Sequence, residues 1–181
     1  MRPEIPYQLL RPAQLLLVRR KGWLGWFIRR VTDSRVNHVT MITRADEPAL
    51  TIGSEDARGV TILPLQTFFE DDAVTGLVLM DDDLDDAQRQ KVLAWAVTHH
   101  GDHYDFLQLV GIYARHRLPW LTPDQMLLDS TDKMICSEYV TRARLEVGRD
   151  LRPEGVCTGM VDPGMIHASL ALTVIWQWWA A

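Results

Sequence analysis

The chain has two cysteines in 181 residues, Cys136 and Cys157. Two thiols cannot build a disulfide-rich scaffold or a four-thiolate zinc site, and a single bridge would require an oxidising compartment. Positive charge is also short. Nineteen Lys and Arg against 24 Asp and Glu leave a net charge of -5 at pH 7. A general nucleic-acid binder needs a clustered cationic excess, so nucleic acid is not an expected partner. No apolar run reaches the ~18 residues of a membrane-spanning helix. The most apolar stretch, Ala168 to Trp179, is short and interrupted by Thr173 and Gln177. The opening Met1-Arg2-Pro3-Glu4-Ile5-Pro6 lacks the charged region and apolar run of a signal peptide. Internal repeats, low-complexity tracts and Pro/Gly/Ser-rich linkers are missing too. These absences lead to the expectation of one cytoplasmic domain over residues 1–181, with no transmembrane segment.

What is present reads as alternating short elements. Gln14 to Val18 is an apolar run suited to a buried strand, and Trp23 to Val31 carries apolar residues on one helical face. Asn37 to Ile42 and Ala49 to Ile52 read as strands joined by the polar turn Arg44-Ala45-Asp46-Glu47-Pro48. Gly59 to Leu63 and Gly76 to Met80 are further strands around a short helix at Leu65 to Phe69. Helices are expected over Gln88 to His99, Asp105 to about His116 and Ser137 to Val147, the last closed by Gly148. A loop with Pro119 and Pro123 precedes that last helix. After Pro163-Gly164 come a short helix and a final strand, Leu172 to Trp178. The sum is an α+β fold with a mainly antiparallel sheet.

Four local features invite sharper readings. Arg19, Arg20, Lys21, Arg29 and Arg30 form a basic stripe, most simply a solvated helix face, with a role at an anionic surface as the alternative. Asp81 to Asp86 is an acidic run before a helix, where carboxylates cap free N–H groups and suit the dipole; it lacks the ligand spacing and glycine of a calcium loop. His99, His100 and His103 with Asp102 and Asp105 could ligate a metal if the helix ran through Gly101, but Gly101 looks like its cap, so a solvated helix end is expected and no metal. The terminal Ile175-Trp176-Gln177-Trp178-Trp179 reads as a last strand with one face inward, a contact surface being the alternative.

Cys136 lies in Lys133-Met134-Ile135-Cys136-Ser137-Glu138-Tyr139, at an expected helix start. Free N–H groups and the positive dipole end favour the thiolate there. The competing account is a buried structural cysteine, and for Cys157, with no helix start beside it, that account is preferred. His38 opens the strand His38-Val39-Thr40-Met41-Ile42. If the hairpin turns between Asp46 and Glu47, Ile42 faces Thr51 and His38 faces Glu55. A carboxylate there would fix the ring's tautomer and stabilise its charged form. Asp56 is the reserve for that role, and Glu55 as a solvated strand-end charge is the plain alternative.

Taken in order, these segments resemble the permuted papain-like amidases, the YiiX/YaeF-like branch of the NlpC-type cysteine peptidase superfamily. The opening match is Leu10-Arg11-Pro12-Ala13-Gln14-Leu15-Leu16-Leu17-Val18, then Trp23-Leu24-Gly25-Trp26-Phe27-Ile28 and Ser34-Arg35-Val36-Asn37-His38-Val39. Glu55-Asp56-Ala57-Arg58-Gly59-Val60, Tyr104-Asp105-Phe106, Cys136-Ser137-Glu138 and Asp162-Pro163-Gly164-Met165-Ile166 follow in family order. One departure is Ala13-Gln14, where the family commonly has Gly-Asp.

The resemblance implies a circularly permuted papain-like (NlpC-type) fold, its cysteine helix following the histidine strands. It implies Cys136 as nucleophile, His38 as base and then acid, Glu55 as orienter, and Tyr104 lining the cleft; a half-buried aromatic beside a helix start is the other reading of Tyr104. No cofactor is called for. Expected substrates are a small peptide or an acyl lipid. Lipid acyltransferases share the layout but generally place a second His where this chain has Glu55, which leans towards an amidase. A peptide- or lipid-binding module without catalysis is the non-enzyme alternative.

Overall fold

Leu15, Leu16, Leu17 and Val18 are all buried, which an alternating strand with one wet face would not allow. A computed structural model describing residues 2–55, 58–117 and 133–180 gives the reason. Strand β1 (Leu15–Arg20) lies inside a six-stranded sheet and is covered on both faces. Successive side chains point to opposite faces. Leu15 and Leu17 therefore enter one core, and Leu16 and Val18 the other.

The remaining strands are β2 (His38–Arg44), β3 (Leu50–Glu55), β4 (Gly59–Pro64), β5 (Val74–Asp81) and β6 (Thr173–Trp179). Their order is β4-β3-β2-β1-β5-β6, with antiparallel neighbours throughout. Helices α1 (Trp23–Thr32), α2 (Gln66–Glu70), α3 (Asp86–Thr98), α4 (Phe106–Arg117), α5 (Cys136–Leu145) and α6 (Pro163–Ala168) complete the fold. Each expected element among the described residues forms, with ends displaced by a few positions. Asp56 and the loop holding Pro119 and Pro123 lie outside the described residues.

The larger core packs Leu15, Leu17, Val39, Met41, Ile52, Val78 and Met80 against Val92 of α3, Tyr139 and Val140 of α5 and Ile166 of α6. The second core lies on the other face, where Phe68 and Phe69 of α2 meet Leu16, Val18, Ile42 and Leu79. Trp176 and Trp178 pack their rings here, so the final strand does turn one face inward. Among the described residues no helix is long and apolar enough to cross a membrane.

The acidic run divides into two jobs, which corrects the expectation of a purely capping role. Asp85 is the cap of α3, in a reciprocal capping box with Gln88. Asp81 and Asp82 instead point into the protein. Arg144 Nε bonds Asp82 Oδ2 at 2.7 Å and Arg89 Nη2 bonds Asp81 Oδ1 at 2.8 Å. Gln14 Nε2 donates to Asp81 Oδ2 at 2.9 Å, and Arg144 donates to the carbonyl of Ala13. Ala13 sits at φ +67, the left-handed region that glycine adopts without strain. Thus the turn survives the Ala13-Gln14 departure, and Gln14 still has a buried partner.

Candidate active site

The site forms at the end of the sheet where β1 and β3 finish and β2 and β4 begin. Ile42 stands opposite Thr51 and Met41 opposite Ile52, so continuing the ladder brings His38 across from Glu55. The two side chains bond, His38 Nε2 to Glu55 Oε1 at 2.9 Å, and both are buried. Cys136 comes up to the same ring from α5, which packs across β2 and β3, close enough for its charge to act on His38. With Nε2 occupied by Glu55, Nδ1 is the nitrogen left for the thiol. The three groups form one series, sulfur to imidazole to carboxylate.

Charge within the series favours the imidazolium. Burial is the largest single influence on His38 and opposes protonation, but the negative charge of Glu55, the nearby Cys136 and the hydrogen bond to Glu55 outweigh it. The ring is raised from 6.5 to about 10. Glu55 shifts the other way. Burial pushes it up, yet His38, Arg20 and Arg58 together hold it below its usual 4.5.

Several supporting residues were not singled out from the sequence. Arg20, expected on a solvated stripe, turns inward: its guanidinium lies 3.6 Å from Glu55 Oε2 and 5.4 Å from the centre of the Phe68 ring. Phe68 also stacks with His38, ring centres 6.2 Å apart and planes within 15°. Asn37 clamps the Arg20 backbone, accepting its N–H at 2.8 Å and donating to its carbonyl at 3.0 Å. Helix α1 approaches this clamp so closely that a Cβ at Gly25 would lie 2.0 Å from Asn37 Nδ2. Nothing in the sequence marks Arg20; its place beside Glu55 follows from β1 lying next to β2, where Val18 faces His38.

Helix α5 is anchored around its first turn. Gln108 of α4 accepts from the Ile135 N–H at 3.3 Å and donates to both Glu138 and the Gly159 carbonyl at 2.7 Å. Ser137 donates to the Val161 carbonyl at 2.6 Å, and Tyr139 to the Ala96 carbonyl at 2.8 Å. In the Cys136-Ser137-Glu138 segment the two flanking polar residues are thus anchors. Ile135 is the cap residue of α5 and offers no side-chain bond, so Cys136 is the first helical residue. The N–H groups of such a first turn have no partner four residues back within the helix and point outward.

Two cavities meet at Ile28, Asn37 and Tyr104. One, a narrow cleft with about 20 Å³ of room, reaches Cys136 and is walled largely by Phe27, Ile28, Val31, Ile112, Ile135 and Pro163. The other, with about 720 Å³ of empty space, reaches His38 and Glu55 and is walled by Arg20, Lys21 and Trp23. Tyr104 is half-buried at their junction with its ring 4.8 Å from that of Phe106. Asp105 beside it caps α4, accepting from the Leu107 and Gln108 N–H groups.

A crystal structure of YiiX from Escherichia coli O157:H7, described as a metalloprotein and as DUF1105, matches this architecture with a TM-score of 0.70. This chain has the YiiX fold. The match covers 93% of this chain and 98% of YiiX at 15% sequence identity, so the likeness is one of fold. It is consistent with the permuted papain-like arrangement, the histidine strands preceding the cysteine helix. No protein-family model matches the sequence, and no curated protein does.

The residues present here do not fit a metal centre of the kind the word metalloprotein suggests for YiiX. Among the described residues no group of three His, Cys, Asp or Glu is placed to hold an ion. Glu55 Oε1 is already committed to the His38 ring, 2.9 Å from Nε2. In the His/Asp tract, His99 stacks on Trp95 with centres 3.9 Å apart and bonds the Trp95 carbonyl at 2.9 Å. The cysteines reverse one expectation. Cys157 is exposed, not buried, and Cys136 is the buried thiol, because α5 docks its first turn under α4 while Cys157 lies in an outer loop.

Proposed function

We propose that the chain is a cysteine-dependent hydrolase that cleaves an amide, peptide or related acyl bond through a thioester. The observation supporting this most is the series Cys136–His38–Glu55, with the thiol opening on an apolar cavity. Cys136 Sγ attacks the acyl carbon, and the backbone N–H of Cys136 steadies the developing oxyanion. The proton held by His38 passes to the leaving group as its bond to carbon breaks. Water then attacks the thioester, giving its proton to the ring, and the C–S bond breaks to restore thiolate and imidazolium. Glu55 keeps the ring oriented and charged, and Tyr104 lines the passage to Cys136.

A second reading is hydrolysis or transfer of a lipid acyl group in the same manner; the residues around Cys136, among them Phe27, Ile28, Val31 and Ile112, are apolar. Turnover of short peptide amides and of acyl-lipid esters, by the natural protein and by Cys136→Ala, separates the two. The exposed Cys157 is an internal standard for iodoacetamide labelling. Cys136 should react faster than Cys157 at neutral pH despite being 4% exposed. Labelling of Cys136 no faster than Cys157, with no turnover of either substrate, would sink the enzyme reading in favour of a binding module.

A further inference from the structure

Helix α1 is amphipathic, yet its apolar face is not fully covered. Trp23 is 80% exposed and Trp26 60%, and with Arg30 they make one stripe along the helix. Phe106, Leu107 and Val110 of α4 are more than half exposed as well. The two helices touch through Phe27 and Tyr113, ring centres 5.5 Å apart. Exposed tryptophans and aliphatic side chains on neighbouring helices exceed the scattered apolar residues of an ordinary surface.

Charge decides what this face suits. The whole chain is acidic, but residues 19–35 hold six basic side chains against the single acid Asp33, and residues 106–117 hold two arginines and no acid. Arg20 is turned inward towards Glu55, and Arg29 Nη1 donates to the Arg20 carbonyl. Arg35 lies over the Trp179 ring, 4.3 Å from its centre. Lys21 and Arg30 are exposed beside the tryptophans. Aromatic and aliphatic side chains bordered by Lys and Arg are the pattern of a helix lying in the headgroup region of an anionic bilayer.

We propose that the α1–α4 face docks on an anionic lipid surface. The inner sides of the same helices, Phe27, Ile28 and Val31 of α1 and Ile112 of α4, wall the cavity at Cys136. A docked face therefore sets that cavity against the bilayer. The substrate consequence rests on the catalytic reading above; the docking does not.

The test is sedimentation with vesicles of phosphatidylcholine, with and without about one third phosphatidylglycerol, using the whole chain. Binding is expected to the anionic vesicles and to be weak on pure phosphatidylcholine. Trp23→Ser with Trp26→Ser should weaken it about tenfold or more, and Lys21→Glu with Arg30→Glu by a similar factor. All four positions are exposed, so circular dichroism should show the variants folded. Cys136→Ala should bind as the natural protein does. Failure of the catalytic reading would leave these results unchanged. Absence of binding to anionic vesicles, or equal binding by the tryptophan variant, overturns the proposal. So does a concentration-dependent dimer, dissolved by that variant, in a protein that ignores vesicles; the face would then belong to a second copy.

Discussion

The protein buries two groups of opposite charges, and they differ in what surrounds them. At one end of the sheet, His38, Glu55 and Arg20 sit beside a cavity, joined to a thiol. At the other, Arg144 and Asp82 are sealed completely, with Arg89, Asp81 and Gln14 close behind. In the sealed group, burial is the leading influence on both partners of the innermost pair: it raises Asp82 and lowers Arg144, each towards its neutral form, despite their mutual attraction. In the group at the mouth, His38 and Glu55 are both shifted towards their charged forms. Burial alone does not mark a site. Nor does a cavity, since one borders Gln14, Asp81 and Asp82, and Arg89 and Gln14 hold Asp81 in its charged form; what sets the mouth group apart is the thiol beside its imidazole.

The largest expected effect tests the catalytic half of that contrast. Cys136→Ala should abolish turnover by a factor of ~10³ or more while changing unfolding free energy by about 1 kcal/mol or less, read from enzyme assays and urea titration. On the sealed side the outcome should invert. Asp82→Ala strands the Arg144 charge and should remove ~3–5 kcal/mol of stability, whereas the pair replacement Asp82→Leu with Arg144→Met should recover most of it. Urea midpoints give both numbers, and a pair variant no better than the single would show that the ion pair itself holds the fold.

Next in size is Glu55→Gln, which keeps a hydrogen-bonding side chain but removes its charge. Turnover should fall by roughly 10–100-fold with the fold intact, and the His38 ring, followed by NMR, should titrate below its present value of about 10. Unchanged turnover would take Glu55 out of the orienting role and leave Asp56 or no residue there.

The pH dependence of stability follows from the same shift. His38 is raised above its unfolded value, so its contribution is fully present below pH 6.5 and is lost as pH rises through about 10. Natural protein should weaken across that alkaline window, and His38→Gln should show a flatter profile there. The smallest effect expected is for Arg20→Met. Its cation stands 3.6 Å from Glu55 and keeps some contact with solvent, so a two- to fivefold loss of turnover is anticipated.

How much of this was legible in the sequence depends on the range of the interaction. The His38–Glu55 facing could be read because a hairpin ties register to the turn and a strand alternates with period two. The position of Cys136 could be read because helix starts have local signals. Arg20 could not, since its pairing requires knowing that β1 lies beside β2, a fact of topology. Gln108 was invisible for the same reason, its partners lying on α5 and near Gly159. Asp81 and Asp82 misled in the opposite direction: a good local explanation, capping, was available, while Asp82's partner Arg144 lies 62 residues away and Asp81's partner Gln14 lies 67.

The order of elements also governs how the site comes into being. His38 and Glu55 leave the ribosome well before Cys136, and the carbonyls of Gly159 and Val161 that secure the cysteine helix emerge later still. The imidazole–carboxylate pair thus rests on a hairpin synthesised first, and the thiol meets that pair only when α5 docks. Docking buries the sulfur in the same motion.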